Sequence, residues 1–391
     1  MEPIDGRGVE HAQTRDRVAE AGRSMERSLD LIKPRSYTPK RPQNGKRKNS
    51  MKKAFPLLIA LLFVLSCGGG GGGDGPANNT TSTPPSSIPI PDRALWEARM
   101  QSFGRIHCDQ GEIQRTGTDE SGVWYYDGIR TFQQISDYTG DSSWRLCADY
   151  VKAVYRPLVL GGSGQVPGWQ VFPHGLAEDF RRTGDAVSRN AVVALATQSA
   201  WAPQAGDPDA EMSRETAYLI HAYMKAIDVG EARSPLLQQA VEFALGHLDQ
   251  WSGSRSAPYV KPFMVGLTFE ALIAYEERYG DGRILPAIQR TADWLWGEAW
   301  HPASRSFVYI SCKPGSQAVT DECVGMPREP SPDLNLLIAP AYAWLYRRLG
   351  EARFQQRGDE IFSGGVRGAW LEGGKQFSQN YRWSFDYIRY R

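Results

Sequence analysis

The sequence predicts an all-α fold, an (α/α)6 toroid of six helical hairpins, and three observations predict it. A short turn recurs as Thr139-Gly140-Asp141, Thr183-Gly184-Asp185, Val229-Gly230-Glu231, Tyr279-Gly280-Asp281 and Leu349-Gly350-Glu351. Each Gly closes an apolar stretch of helical spacing as a left-handed stop, and each acid opens the next helix as a cap or first-turn residue. The glycines stand 44, 46, 50 and 70 residues apart, and a period of roughly 45 residues signals stacked helix pairs. Very few stretches alternate polar and apolar residues as a half-buried strand does.

Helices preceding the turns are expected at 124–138, 173–183, 214–229, 261–279 and 333–349, and those following them at 141–157, 185–200, 232–251, 282–298 and 351–363. Lys375 to Tyr390 reads as one more helix of the first kind. A helix over Asp92 to Ile106 supplies its missing partner and closes a ring of twelve, which buries every repeat without capping repeats. The alternative, an open α-solenoid, needs polar terminal caps, and the aromatic C-terminus around Tyr381, Trp383, Phe385 and Tyr387 argues against it. The long interval before Gly350 is explained by an inserted loop from Trp300 to Pro332.

The chain divides before this body. Residues 1–50 are polar, basic and without an apolar face, so they read as an untranslated or disordered extension. Met51-Lys52-Lys53 and the apolar run Ala54 to Leu65 read as a signal peptide over 51–66, too short to span a bilayer as a helix. The segment Val64-Leu65-Ser66-Cys67 resembles a bacterial lipobox, which implies lipidation of Cys67 and export; Leu65 departs from the smaller residue usual there. Residues 67–89, with Gly68 to Gly73 and a Ser/Thr/Pro stretch, form a flexible tether to a body at 90–391. Gly68 after the cysteine resembles the sorting pattern for an outer membrane.

Export fits the remaining cysteines, Cys108, Cys147, Cys312 and Cys323, an even set without metal-motif spacing. Of three possible pairings, Cys108 with Cys147 and Cys312 with Cys323 is favoured. A net charge of +1 from 45 basic and 44 acidic residues implies no nucleic-acid partner. The membrane is expected to be touched through the lipid alone.

Short turns at one end leave the long loops, 158–172, 201–213, 252–260, 299–332 and 364–374, at the other, where sites are usually built. Helices of the first kind start there, with aromatic and polar residues around one rim. Trp124, Tyr126 and Trp383 offer faces for sugar C–H groups, and Asn335, Gln379 and Asn380 offer planar partners for hydroxyls. Arg214, His221 and Lys375 complete the expected substrate-binding set. Packing between helix ends explains any one of these aromatics equally well.

This exported chain, with its hairpin period and its aromatic, carboxylate-bearing rim, resembles the (α/α)6-toroid glycoside hydrolases and polysaccharide lyases. The resemblance is architectural, spans 90–391 and implies a glycan substrate, but no catalytic signature transfers with it. Hydrolysis requires two carboxyl groups flanking the bond. Asp127 is the first candidate, with Glu215, Asp333 and Asp386 competing as the second; Asp127, Glu215 and Asp333 also read as helix-start residues, and Glu215 as an ion-pair partner of Arg214. Elimination from a uronate requires a base, an acid, a cationic clamp and an amide donor, which His174, Tyr381, Arg214, Lys375 and Asn335 offer. Neither a metal motif nor a cofactor loop is read from the sequence. Hydrolysis is favoured slightly because it is the commoner chemistry among the enzymes resembled. The alternatives are a uronate lyase and a noncatalytic glycan-binding lipoprotein.

Overall fold

The computed structural model describes residues 88–313, 323 and 328–391. The expected segments 1–50 and 51–66, Cys67, and all but the last two residues of the 67–89 tether lie outside the described residues.

The described chain is mostly helical. In order, its helices are α1 (Arg93–His107), α2 (Gln110–Thr116), α3 (Gly128–Thr139), α4 (Trp144–Gly161), α5 (His174–Thr183), α6 (Ala186–Gln198) and α7 (Ser213–Asp228). They continue with α8 (Leu236–Leu248), α9 (Pro262–Tyr279), α10 (Ile284–Ala299), α11 (Asn335–Leu349), α12 (Ala352–Gly368) and α13 (Gly374–Tyr390). Only two-residue strands occur among the described residues. β1 (Tyr259–Val260) pairs antiparallel with β4 (Ser311–Cys312), and β2 (Trp300–His301) with β3 (Ser306–Phe307).

Turn chemistry sets the helix ends. Gly140, Gly184, Gly280 and Gly350 take φ of 72°, 72°, 73° and 71° and return their N–H groups to the carbonyl four residues back, the left-handed stop that a Cβ would strain. The acids after them act more variably than expected. Asp185 caps α6 by accepting the Val187 N–H at 2.8 Å, whereas Asp141 and Asp281 accept from the backbone two residues on and their helices begin later. Helix α3 starts at Gly128 rather than at 124 because Tyr126 and Asp127 both adopt φ of 64°. The short α2 was not foreseen; Asp109 caps it through the Glu112 N–H.

The helices before the turns pack in a repeating order: α3 on α5, α5 on α7, α7 on α9, α9 on α11, α11 on α13, and α13 back on α3. Each has its hairpin partner against it, and α1 fills that role for α13. The two ends of the body are locked together there. Trp96 Nε1 donates to Ser384 Oγ at 2.9 Å, the Tyr381 hydroxyl donates to the Trp96 carbonyl at 3.1 Å, and Arg367 pairs with Asp92. No described helix is long and apolar enough to cross a membrane.

Disulfides join Cys108 to Cys147 and Cys312 to Cys323. The first links the end of α1 to α4 across 39 residues. Closing a loop of that length restricts the unfolded chain by about 4 kcal/mol in the loop-entropy description. A Cys108→Ser/Cys147→Ser double variant should therefore lose stability of that order in urea unfolding. A change below about 1 kcal/mol would show that the crosslink does not restrain the unfolded chain.

Candidate functional site

The site is built on the starts of α3 and α5. One Asp127 oxygen accepts the Arg130 N–H at 3.1 Å, capping α3, and the other accepts the Gly175 N–H at 3.1 Å, at the first turn of α5. A single carboxylate thus satisfies donors of two helices that would otherwise be orphaned. The approach needs Gly175, since a Cβ there would lie 2.6 Å from Asp127 Oδ1. It also places His174, the first residue of α5, with Nδ1 4.0 Å from Asp127 Oδ2.

Around this corner lies a buried polar cluster drawn from five helices. Arg382 on α13 donates through Nη1 to Glu270 Oε1 at 2.6 Å and through Nη2 to His174 Nδ1 at 3.2 Å. A guanidinium only donates, so His174 Nδ1 carries no proton and the imidazole is neutral. Trp383 Nε1 donates to Glu270 Oε2 at 2.6 Å. His221 on α7 brings Nε2 to 3.3 Å from the same Glu270 oxygen, an ion-pair contact without the alignment of a hydrogen bond. The two imidazole rings stand 4.5 Å apart. Arg130 lies at 3.8 Å from Glu270 and 3.4 Å from Asp386, contacts too long to use its donors fully.

The protonation states follow from burial and these neighbours. Burial, then Arg130 and Arg382, hold His174 well below the usual imidazole range. Burial also lowers His221, against the pull of Glu270. For Glu270 burial favours the protonated form, yet Arg382, His221 and Arg130 outweigh it and hold the carboxylate well below its ordinary range. A buried carboxyl that ionises more easily than in water reports a positive local potential. Asp127 goes the other way, raised chiefly by burial.

A cavity of about 150 Å³ opens from this cluster. Helical periodicity aligns its walls: Glu270, Ile273, Ala274 and Glu277 share one face of α9, and Asp386, Arg389 and Tyr390 one face of α13. Leu337, Pro340 and Ala341 of α11 add an apolar wall. Exposure increases along the helices, from 4% for His221 and 12% for Glu270 to 27% for Lys225, 36% for Glu277 and 55% for Arg389. The last three sit in final helical turns. The mouth is therefore at the short-turn end of the helices, not at the loop end where the sequence argument placed it.

The loop end is filled by the aromatics expected to line its rim. Trp124 is buried, stacks on Tyr155 and donates Nε1 to the Asp119 carbonyl. Tyr126 packs edge-on against Trp383, and Phe172 packs on Tyr125 and Tyr218. These rings satisfy one another and leave no faces for a sugar.

Of the expected residues, Asp127, His174, His221, Trp383 and Asp386 meet at the cluster and the others do not. Glu215 is buried against Arg214 at 2.6 Å, so neither is free at the cavity. Asp333 accepts the Trp370 N–H at 2.5 Å near the α12–α13 connection. Tyr381 is core, held to α1 by its hydroxyl. Asn335 ties the Arg305 and Ile361 carbonyls and the Phe307 N–H together. Gln379 donates to the Asp333 carbonyl, and Asn380 to the Gln376 carbonyl within its own helix. Lys375 lies over the Tyr125 ring at 4.3 Å. The sequence reading missed Glu270, Arg382, Arg130 and Lys225; a lone acid in the apolar run Pro262 to Ala274 was the available signal for the first.

His174, His221 and Glu270 bring one donor atom each within 4.8 Å of one another. They do not fit a metal ion. Arg382 occupies His174 Nδ1, Trp383 occupies a Glu270 oxygen, and a cation there would meet two buried guanidiniums.

Asp333 provides a pH test apart from the cavity. Burial raises its carboxyl to about 6 from 3.8. The native state then binds more protons than the unfolded one between about pH 4 and 6, so stability present below pH 4 is lost as pH rises through 6, by at most about 3 kcal/mol. Asp333→Asn should flatten that slope in thermal unfolding; an unchanged slope would clear Asp333 of the effect. Comparison with known proteins gives no matching family model, no matching curated protein and no matching solved structure.

Proposed function

We propose that the chain is an (α/α)6 toroid that cleaves a uronate-containing glycan by β-elimination at the His174–His221–Glu270 cavity. The cyclic packing order of α3, α5, α7, α9, α11 and α13 supports the toroid. The observation that carries the chemistry is the buried cluster in which the His174 and His221 rings stand 4.5 Å apart, His221 Nε2 lies 3.3 Å from Glu270, and Arg382 bonds both Glu270 and His174. Elimination needs these parts. Arg130 and Lys225 neutralise the sugar carboxylate and so acidify the C5 proton. His221, whose Nε2 makes no aligned hydrogen bond, takes that proton. The electron pair forms the C4–C5 double bond, the C4–O bond breaks, and His221 passes the proton it has taken to the departing oxygen, which returns the imidazole to its neutral form. Glu270, 3.3 Å away, stabilises the imidazolium formed. A neutral His174 orients within reach as a donor.

Hydrolysis has one observation in its favour: Asp127 is raised and Glu270 lowered, the divergence expected of an acid and its partner carboxylate. Asp127, however, spends both oxygens on helix starts. We also propose that the body is exported and tethered through lipid on Cys67.

The full chain incubated with neutral and uronate-bearing polysaccharides tests this reading. New reducing ends together with ultraviolet absorbance of an unsaturated uronide are expected. His221→Ala should lower turnover by about 10²- to 10⁴-fold. Reducing ends without absorbance would replace elimination by hydrolysis, and glycan binding without any turnover would leave a noncatalytic lipoprotein.

A further inference from the structure

We infer that the cavity is a pocket for one terminal hexuronate residue, admitted through the short-turn end of the helices between Lys225, Glu277 and Arg389. This rests on the glycan-cleaving reading for its biological meaning but not for its test.

Shape argues first. The cavity holds about 150 Å³, room for a single sugar ring and not for several. Its inner end is closed by the cluster, behind which only a void of about 10 Å³ remains, walled by Asp127, Phe172, Tyr218 and Trp383. A polymer cannot thread through, so only a chain end can enter.

Wall chemistry argues second. Ile273, Ala274, Leu337, Pro340 and Ala341 give an apolar side and charged groups give the other, which matches a ring with C–H bonds on its face and hydroxyls on its edge. The charged side also has unspent donors. Arg130 makes only long contacts, at 3.4 and 3.8 Å. Lys225 has one partner, Asp228, at 2.8 Å, leaving two N–H groups for another acceptor. His221 is 3% exposed, lines the cavity, and has no hydrogen-bond partner on Nε2. The Nε2 lone pair of a neutral His221 can accept from a ligand hydroxyl, while a ring carboxylate meets Arg130 and Lys225 and supplies the charge.

Access argues third. Exposure rises toward Lys225, Glu277 and Arg389; the helices of the first two end in the Gly230 and Gly280 turns, and Arg389 sits in the last turn of α13. Among the described residues at the loop end, Trp124, Tyr125, Tyr126 and Phe172 are buried.

Calorimetric titration of the full chain with glucuronate, galacturonate, glucose and a trigalacturonate tests the pocket without needing turnover. A hexuronate should bind about tenfold or more tighter than glucose, a difference set by one charge-assisted contact. Lys225→Met, at a half-exposed position, should remove about that tenfold while leaving the glucose affinity unchanged. The monosaccharide should bind within about threefold of the trimer, because one residue fills the pocket. Equal affinity for glucose and hexuronate, no effect of Lys225→Met, or a much tighter trimer would overturn the inference. For access, a bulky maleimide on Glu277→Cys should abolish hexuronate binding and the same group on Glu372→Cys should leave it, with the parent chain treated identically as control. The reverse pattern would place the mouth at the loop end. Hexuronate binding with no cleavage of any polymer would uphold this pocket and overturn the elimination reading alone.

Discussion

The pairing of Arg382 with Glu270 is the interaction on which the centre of this protein depends. It joins α13 to α9, and the side chains are only 4% and 12% exposed. Removing either partner would leave a buried charge unpaired, which costs far more than the pair itself contributes. Because Arg382 also donates to His174 and Trp383 to Glu270, one contact sets an imidazole tautomer, a carboxylate charge and the spacing of three helices. The lowered pKa of the Glu270 carboxyl is a consequence of this arrangement.

The helical framework was legible because glycine turns are local. Gly140, Gly184, Gly280 and Gly350 end helices through their own backbone conformation, so their spacing exposes the hairpin period without any tertiary knowledge. Boundaries were less legible where tertiary contact decided them. Asp127 adopts a left-handed conformation to cap two helices at once, and no run of residues around 124 announces that α5 will lie alongside. The inferred N-terminal partner of α13 follows from counting, and Trp96 explains why it docks: its ring meets Tyr381 and Phe385, and its Nε1 reaches Ser384.

The site was legible only in part, and its direction was misjudged. Elaborate loops suggested a mouth at their own end, but aromatic residues at helix starts can either present faces to a ligand or pack on one another. Trp124, Tyr125, Tyr126 and Phe172 do the second. Sequence composition is the same in both cases, since what distinguishes them is whether neighbouring rings meet. The carboxylates misled for a similar reason. Glu215 and Asp333 stand at helix starts like Asp127, and only geometry shows that one is consumed by Arg214 and the other by the Trp370 N–H. Glu270 lies mid-helix, where an acid is easily read as a surface residue; what marks it is the apolar run around it.

A mouth at the short-turn end carries a physical consequence. Glycine turns of this kind are short and fixed by backbone hydrogen bonds, so the rim cannot close over a ligand as a long loop could. Water must then be excluded by fit alone. That suits a pocket for one ring, whose apolar wall and charged side together replace its hydration, better than an extended groove. It also places the variable part of recognition on side chains in final helical turns. Lys225, Glu277 and Arg389 can change with little cost to the fold, because they sit on solvent-facing turns, whereas Arg382, Glu270 and Asp127 cannot, because each holds helices together. Exposed charges and the buried pair that joins helices thus lie at opposite ends of the same faces of α9 and α13, separated by about two turns of helix.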